Sequence, residues 1–377
     1  MLRTNLESNF IRKYIKCKLN ERKDLKMKKS LLWVVVLVLS ITMVAAFSLY
    51  GCKAEEEAAV EEEVAEEAAA EEVEEVAEEE FTILYVSGIA DPFMYMLGKG
   101  AKAKAEELGV NFLEAEYAKS WGPEAQIPIL EAATVAGGID LIICVPTSTE
   151  ALIAPLKKLY DQGIEIITAD CFLGNGDYSV ESNYSFPLAY VGTDNKLGGL
   201  EVADKMAEML GEKGEVLIQN TNPDTSSVVA RGKGFTEGIA KYPDMTLVGE
   251  EWCLDVQQTA QEQTTAVLQK YPDLAGVFGV NLFSAQGAYQ AVVNAGLTGA
   301  VKIASWDATP DLINALKEGK VDLVLAQKPY EVGQLAVEAG YNYLANGVKP
   351  DKRIVPGFEF FTKENVDDPE MQQWIYQ

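Results

Sequence analysis

FTILYVSGIADPFMYMLGKGAKAKAEELGVNFLEA, residues 81–115, contains the unit from which the rest of the chain is built. Phe81–Ser87 is a continuous apolar run of strand length. Pro92 stands near a helix start, where its missing N–H costs little. Leu97, Ala101, Ala105 and Leu108 recur at helical spacing and mark one buried stripe. Asn111–Ala115 then reads as a second strand. A strand, an amphipathic helix and a strand in this order form a right-handed β-α-β crossover, the building block of a parallel sheet.

The same alternation runs to residue 344. Strands are expected at Leu141–Val145, Glu165–Ala169, Ala189–Gly192, Glu215–Gln219, Thr246–Glu250, Gly276–Val280, Lys302–Ser305 and Leu323–Ala326. Helices are expected at Gln126–Ala136, at the stripe Leu152, Ile153, Leu156, Leu159 and Tyr160, and at Leu197–Leu210, Val228–Ala240, Thr259–Gln269, Ala285–Asn294, Asp311–Lys317 and Val332–Leu344. About eleven such strands are too many for one comfortable open sheet. The expected fold is therefore α/β, with two doubly wound, Rossmann-like parallel-sheet lobes and the ligand in the cleft between them.

The flanking sequence gives an address. Met27 opens a basic start with Lys28 and Lys29, the apolar run Leu31–Phe47 follows, and Leu49-Tyr50-Gly51-Cys52 closes it. This is the order of a secretory signal, and a cysteine after small residues resembles a bacterial lipobox. Residues 27–51 thus read as a lipoprotein signal peptide cleaved before a lipidated Cys52, and residues 1–26 as an over-extended start. A retained membrane anchor is the alternative, but an anchor needs no Gly-Cys at its outer end. Residues 52–80 carry the lipid site and an acidic Glu/Ala linker, whose like charges favour a mobile spacer over a lone helix. The expected localisation is exported and lipid-anchored, on the periplasmic or outer face of the envelope.

Composition removes several function classes. The chain has a net charge of −26 and no histidine. Without histidine the Ser-His and Cys-His nucleophile systems and the commonest zinc ligand are gone, and neither catalysis, a cofactor nor a metal is expected. Eleven basic groups precede residue 54 and fifteen Glu fill residues 54–80, so the body beyond residue 80 is itself strongly acidic. Such a body repels phosphate backbones, so no nucleic-acid partner is expected. Cys144, Cys171 and Cys253 are too widely spaced for a metal cluster. Gly98-Lys-Gly100 and Gly232-Lys-Gly234 complete no phosphate-binding motif.

In doubly wound sheets ligands bind beyond the carboxyl ends of the strands. Those ends hold Asp91-Pro92-Phe93, Pro146-Thr147, Asp170-Cys171, Asn281, Trp306-Asp307 and Gln327, with Arg231 in a following helix. Carboxylates, amides and a guanidinium can each clasp two hydroxyls, and aromatic faces stack on sugar C–H faces. The set suits a small, neutral, hydroxyl-rich molecule. Asp91 before Pro92 could alternatively serve only as a helix cap, and Trp306 could be core packing.

In these strand-end segments, and in Gly192-Thr-Asp-Asn-Lys-Leu-Gly-Gly199, Arg231-Gly-Lys-Gly-Phe235 and Tyr271-Pro-Asp273, the body resembles the ribose/galactose-type periplasmic sugar-binding proteins, the substrate-binding receptors of sugar ABC transporters. The resemblance implies that Asp91, Asp170, Arg231, Asn281, Asp307 and Gln327 bond ligand hydroxyls while Phe93 and Trp306 sandwich the ring. It implies an N-terminal lobe of 81–192 plus 329–354 and a C-terminal lobe of 193–328 plus 355–377. The hinge would lie at three crossings, near Gly192–Asn195, Gln327–Tyr330 and Ile354–Gly357. Met94, Trp121, Thr147 and Cys171 are further candidates, as are Trp252 and Asp255, between which the sequence does not choose. Cys171 stands where the family's ribose receptors place arginine, and Met94 where a second aromatic is common. The implied partners are a monosaccharide or related polyol and an ABC permease, with the chain a monomer delivering its ligand by hinge closure. A sugar or autoinducer receptor feeding a signalling sensor would look the same.

Overall fold

Twelve strands in two sheets of the same order organise the chain in the computed structural model, which describes residues 81–376. The signal, Cys52 and linker expectations lie outside the described residues. The first sheet holds β1 (Thr82–Val86), β2 (Asn111–Glu114), β3 (Leu141–Cys144), β4 (Glu165–Ala169), β5 (Ala189–Val191) and β11 (Arg353–Ile354), in the order β11-β5-β4-β3-β1-β2. Every pairing in it is parallel. The second holds β6 (Lys213–Asn220), β7 (Asp244–Trp252), β8 (Leu274–Gly279), β9 (Lys302–Trp306), β10 (Leu323–Ala326) and β12 (Glu359–Phe361), in the order β12-β10-β9-β8-β6-β7. It is parallel except for antiparallel β12 on β10.

Nine helices connect the described strands: α1 (Pro92–Glu107), α2 (Pro123–Thr134), α3 (Ile153–Asp161), α4 (Asn195–Leu210), α5 (Ser226–Ile239), α6 (Gln257–Lys270), α7 (Leu282–Asn294), α8 (Pro310–Lys317) and α9 (Pro329–Asn346). The central strands are buried on both faces, as helix-covered parallel strands must be; Leu141–Cys144 is buried throughout. The glycine pairs rejected as phosphate loops are helix contacts. A Cβ on Gly100 of α1 would stand 2.0 Å from the Tyr330 carbonyl of α9, and one on Gly234 of α5 would stand 2.1 Å from the Lys196 carbonyl of α4.

The chain passes between sheets three times: after β5, after β10, and between β11 and β12. Arg353 Nη2 lies 3.5 Å from Asp194 Oδ1, and Lys328 Nζ lies 3.1 Å from Glu359 Oε1, so ion pairs link neighbouring crossings.

Two local expectations are corrected, and two short strands are added to those expected. β11 and β12, of two and three residues, are too short to show a period. β7 runs from Asp244 to Trp252, longer than Thr246–Glu250, because its pairing with β6 continues through a bulge. α2 starts at Pro123, ahead of Gln126, because the proline takes a first-turn position.

Candidate functional site

The strand ends of both sheets converge on one cavity between the lobes, lined largely by polar side chains. Ile89, Asp91, Phe93, Met94, Trp121 and Asp170 line it from the first lobe. Thr221, Thr225, Ser227, Val228, Arg231, Asp255, Asn281, Phe283 and Asp307 line it from the second, and Gln327 from a crossing. The lobes meet at its edge. Cys171 Sγ lies 3.3 Å from Ser227 Oγ, and the Phe172 amide donates to Ser226 Oγ at 3.0 Å.

Backbone geometry aims the carboxylates. Five non-glycine residues among those described have positive φ, and Asp170 (57°), Asp255 (58°) and Asp307 (74°) are three of them. Asp adopts this left-handed region more readily than most residues, and its appearance at three cavity positions marks a functional constraint. Asp170 and Asp307 each follow the last residue of a strand, β4 and β9, at matching places in the two sheets.

Each polar group is held in its own way. Asp91 Oδ1 accepts from the Met94 amide at 2.8 Å, so Asp91 both caps α1 and lines the cavity. Asn281 caps α7 through a capping box, and its Nδ2 donates to Asp255 Oδ1 at 2.8 Å. Arg231 Nε donates to Asn195 Oδ1 at 2.8 Å and Nη1 to the Val280 carbonyl at 3.0 Å. Asp307 Oδ2 accepts from the Leu282 amide at 3.1 Å and Oδ1 from Gln327 Nε2 at 2.9 Å. On two of the lining residues, Asp170 Oδ1 and Thr225 Oγ1 are buried with no hydrogen-bond partner among the described residues.

Four carboxylates therefore share the cavity with one guanidinium. Burial pushes the Asp91 carboxyl up to about 7; the neighbouring charges of Asp307, Asp170 and Asp255 add to this, and the Met94 amide opposes it. Burial lifts Asp170 to about 6 against the pull of Arg231. Asp255 is also raised by burial. The field disfavours an anionic ligand and suits hydroxyl donors.

Four expected contacts are corrected. Trp306 is fully buried, does not line the cavity, and lies under the Arg231 guanidinium, 4.4 Å from its ring centroid. Its side chain turns toward α4, where Gly198 leaves room: a Cβ there would stand 2.5 Å from the ring. Thr147 sits behind the wall. Its carbonyl accepts from Trp121 Nε1 at 3.1 Å, and its own amide and hydroxyl donate to Gln126 Oε1. Cys171 does not line the cavity; its thiol donates to Asp170 Oδ2 at 3.3 Å. Asp255 lines the cavity and Trp252 does not, because the left-handed turn at Leu254-Asp255 brings the carboxylate round while Trp252 stays in β7. Phe283 was missed: it supplies the second lobe's aromatic wall, and its signal was an aromatic in the first turn of a helix after a strand end.

Two doubly wound lobes closed over a polar cavity with aromatic walls define a receptor for a small ligand. The chain belongs to the periplasmic binding protein domain family, which it matches over residues 83–348. It is a binding protein and not an enzyme. It is 29% identical over 255 residues to the ribose import binding protein of Salmonella typhimurium, covering 68% of this chain and 81% of that one. A solved ABC transporter solute-binding protein from Agrobacterium vitis, bound with α-D-tagatopyranose, is 36% identical with a TM-score of 0.77, covering 79% of this chain and 100% of that one. A carbohydrate transporter solute-binding protein from Agrobacterium radiobacter, in complex with D-arabinose, is 27% identical with a TM-score of 0.70, covering 78% and 99%.

Proposed function

We propose that the chain is an exported receptor for a monosaccharide or related polyol, which it delivers to an ABC importer by closing its lobes, and that lipid on Cys52 holds it to the membrane. The observation that carries the ligand class is a pair of buried atoms with no hydrogen bond, the acceptor Asp170 Oδ1, which faces Arg231 at 3.9 Å, and the hydroxyl Thr225 Oγ1. Buried polar atoms are rarely left without a partner, and these two come from opposite lobes. A ring bearing several hydroxyls would offer a partner to each. Phe93 and Phe283 offer apolar faces from opposite lobes for its C–H surfaces. Relatives named for ribose import, or solved with tagatose or arabinose, support a single neutral sugar ring.

The charge arrangement supports closure on ligand. Asp91 and Asp170 on one lobe face Asp255 and Asp307 on the other, and Arg231 alone offsets four carboxylates, so repulsion weakens an empty closed cleft. Ligand hydroxyls that bond both lobes exist as contacts only when the lobes meet, so ligand selects the closed form. A permease then reads closure as the signal of cargo.

A thermal-shift screen of D-tagatose, D-ribose, D-allose, D-arabinose and common polyols tests the ligand class. A sugar at a hundred times its Kd adds about 2.7 kcal/mol of stability and raises the Tm accordingly. No shift with any neutral sugar, together with a shift from a sugar phosphate, would overturn the reading.

A further inference from the structure

Tyr376, near the end of the described segment, touches the site from behind. It is buried and does not line the cavity. Its amide donates to the Ala308 carbonyl at 2.9 Å, which pins the main chain beside Asp307. Its hydroxyl accepts from the Gln327 amide at 3.0 Å and lies 3.4 Å from Asp307 Oδ1. Because the Gln327 N–H can only donate, the phenol must accept there, and its proton is left for the carboxylate. Its ring meets Phe93, of the other lobe, edge-on, with centroids 5.9 Å apart.

The contacts extend to the crossings. Gln327 Oε1 accepts from Thr193 Oγ1 at 2.8 Å, and its Nε2 donates to Asp307 Oδ1. Thr193 lies on the first crossing and Gln327 on the second. Two residues before Tyr376, the Trp374 ring carries Lys328 Nζ at 4.1 Å. One buried hydrogen-bond chain thus runs Thr193, Gln327, Asp307, Tyr376, and the ring at its end rests on the opposite lobe.

We propose that Tyr376 is a positioning residue, whose hydroxyl fixes Asp307 and Gln327 in their ligand-facing geometry and whose ring on Phe93 couples that geometry to lobe closure. The proposal rests on the cleft being the sugar site. Three donors then hold the Asp307 carboxylate before ligand arrives: the Leu282 amide, Gln327 Nε2 and the phenol. Preorganisation of this kind raises affinity without a ligand contact.

The test is a double-mutant cycle read by calorimetry, using whichever of D-tagatose, D-ribose or D-arabinose binds the wild type most tightly. Tyr376→Phe keeps the ring and removes the hydroxyl, and should weaken binding roughly five- to tenfold, the worth of about one hydrogen bond. In an Asp307→Asn background the same change should cost less than twofold, since its effect passes through Asp307. Equal losses in both backgrounds would mean a merely structural tyrosine. A second measurement needs no sugar: hydrogen exchange at the Gln327 amide should be faster in Tyr376→Phe than in the wild type. If none of the sugars binds the wild type, the sugar reading fails and this exchange still decides; unchanged protection at Gln327 would overturn the positioning role.

Discussion

Arg231 Nη2 and Asp170 Oδ1 face each other across the cleft at 3.9 Å, both side chains buried, close enough to attract and too far apart for a hydrogen bond. A ligand hydroxyl set between them accepts from the guanidinium and donates to the carboxylate, and so joins the two lobes. Hydrogen bonds to charged groups contribute about 1.5–3 kcal/mol each. Asp170→Asn and Arg231→Met should therefore each weaken sugar binding roughly ten- to a hundredfold. Asparagine is the better probe at Asp170 because it tolerates the positive φ, whereas alanine would add backbone strain. Calorimetric titration beside Lys317→Ala, an exposed ion-pair control, checks this. Losses no larger than the control's would move the site elsewhere.

Stability should depend on pH through Asp91 and Asp170. Their folded pKa values, about 7 and about 6, lie above the unfolded value near 3.9. Between those values the folded protein binds more protons than the unfolded one, so stability is lost as pH rises. The ligand-free protein should melt higher at pH 5.5 than at pH 8. Asp91→Asn combined with Asp170→Asn should flatten that slope, as measured by melting curves across the interval. An undiminished slope in the double variant would place the effect outside the cleft.

The two tryptophans should separate. Trp306 is fully buried under Arg231, so Trp306→Leu should lower the ligand-free Tm strongly, by analogy with large-to-small core changes of about 3–5 kcal/mol, and weaken binding with it. Trp121 is half-buried and lines the cavity. Trp121→Leu should weaken binding with a much smaller loss of Tm. Paired melting and titration of both variants decides the matter, and equal Tm losses would contradict the assignment.

What the sequence revealed, and what it concealed, follows from the geometry of parallel sheets. Such sheets put ligands at strand ends, and apolar strands are easily seen, so Asp91, Asp170, Asn281, Asp307 and Gln327 could be picked out by position alone. Which way a strand-end side chain turns depends on the neighbouring helix, and that concealed Trp306: only the room beside Gly198 shows that it faces α4. Asp255 was ambiguous because its turn departs from strand geometry through two left-handed residues. Tyr376 and Ser227 reach the site from segments with no strand-end signature. The alternation of strands and helices in both lobes was legible, except for β11 and β12, whose few residues carry no period, whereas the shared strand order appears only in the structure.

The proposed lipid anchor has its own test. Cys52→Ser should release the protein from membranes into the soluble fraction. Fractionation identical to the wild type would show that the apolar run Leu31–Phe47 is a retained anchor.

The central claim is that the lobes close on a sugar held between them. Small-angle scattering with and without a saturating sugar, binding being verified by calorimetry on the same sample, tests it most directly. The account predicts that the radius of gyration falls on binding, because the carboxylates that oppose each other across the empty cleft become bridged by hydroxyls. An unchanged scattering curve at full occupancy would mean that the lobes are rigidly packed, and would contradict delivery by closure.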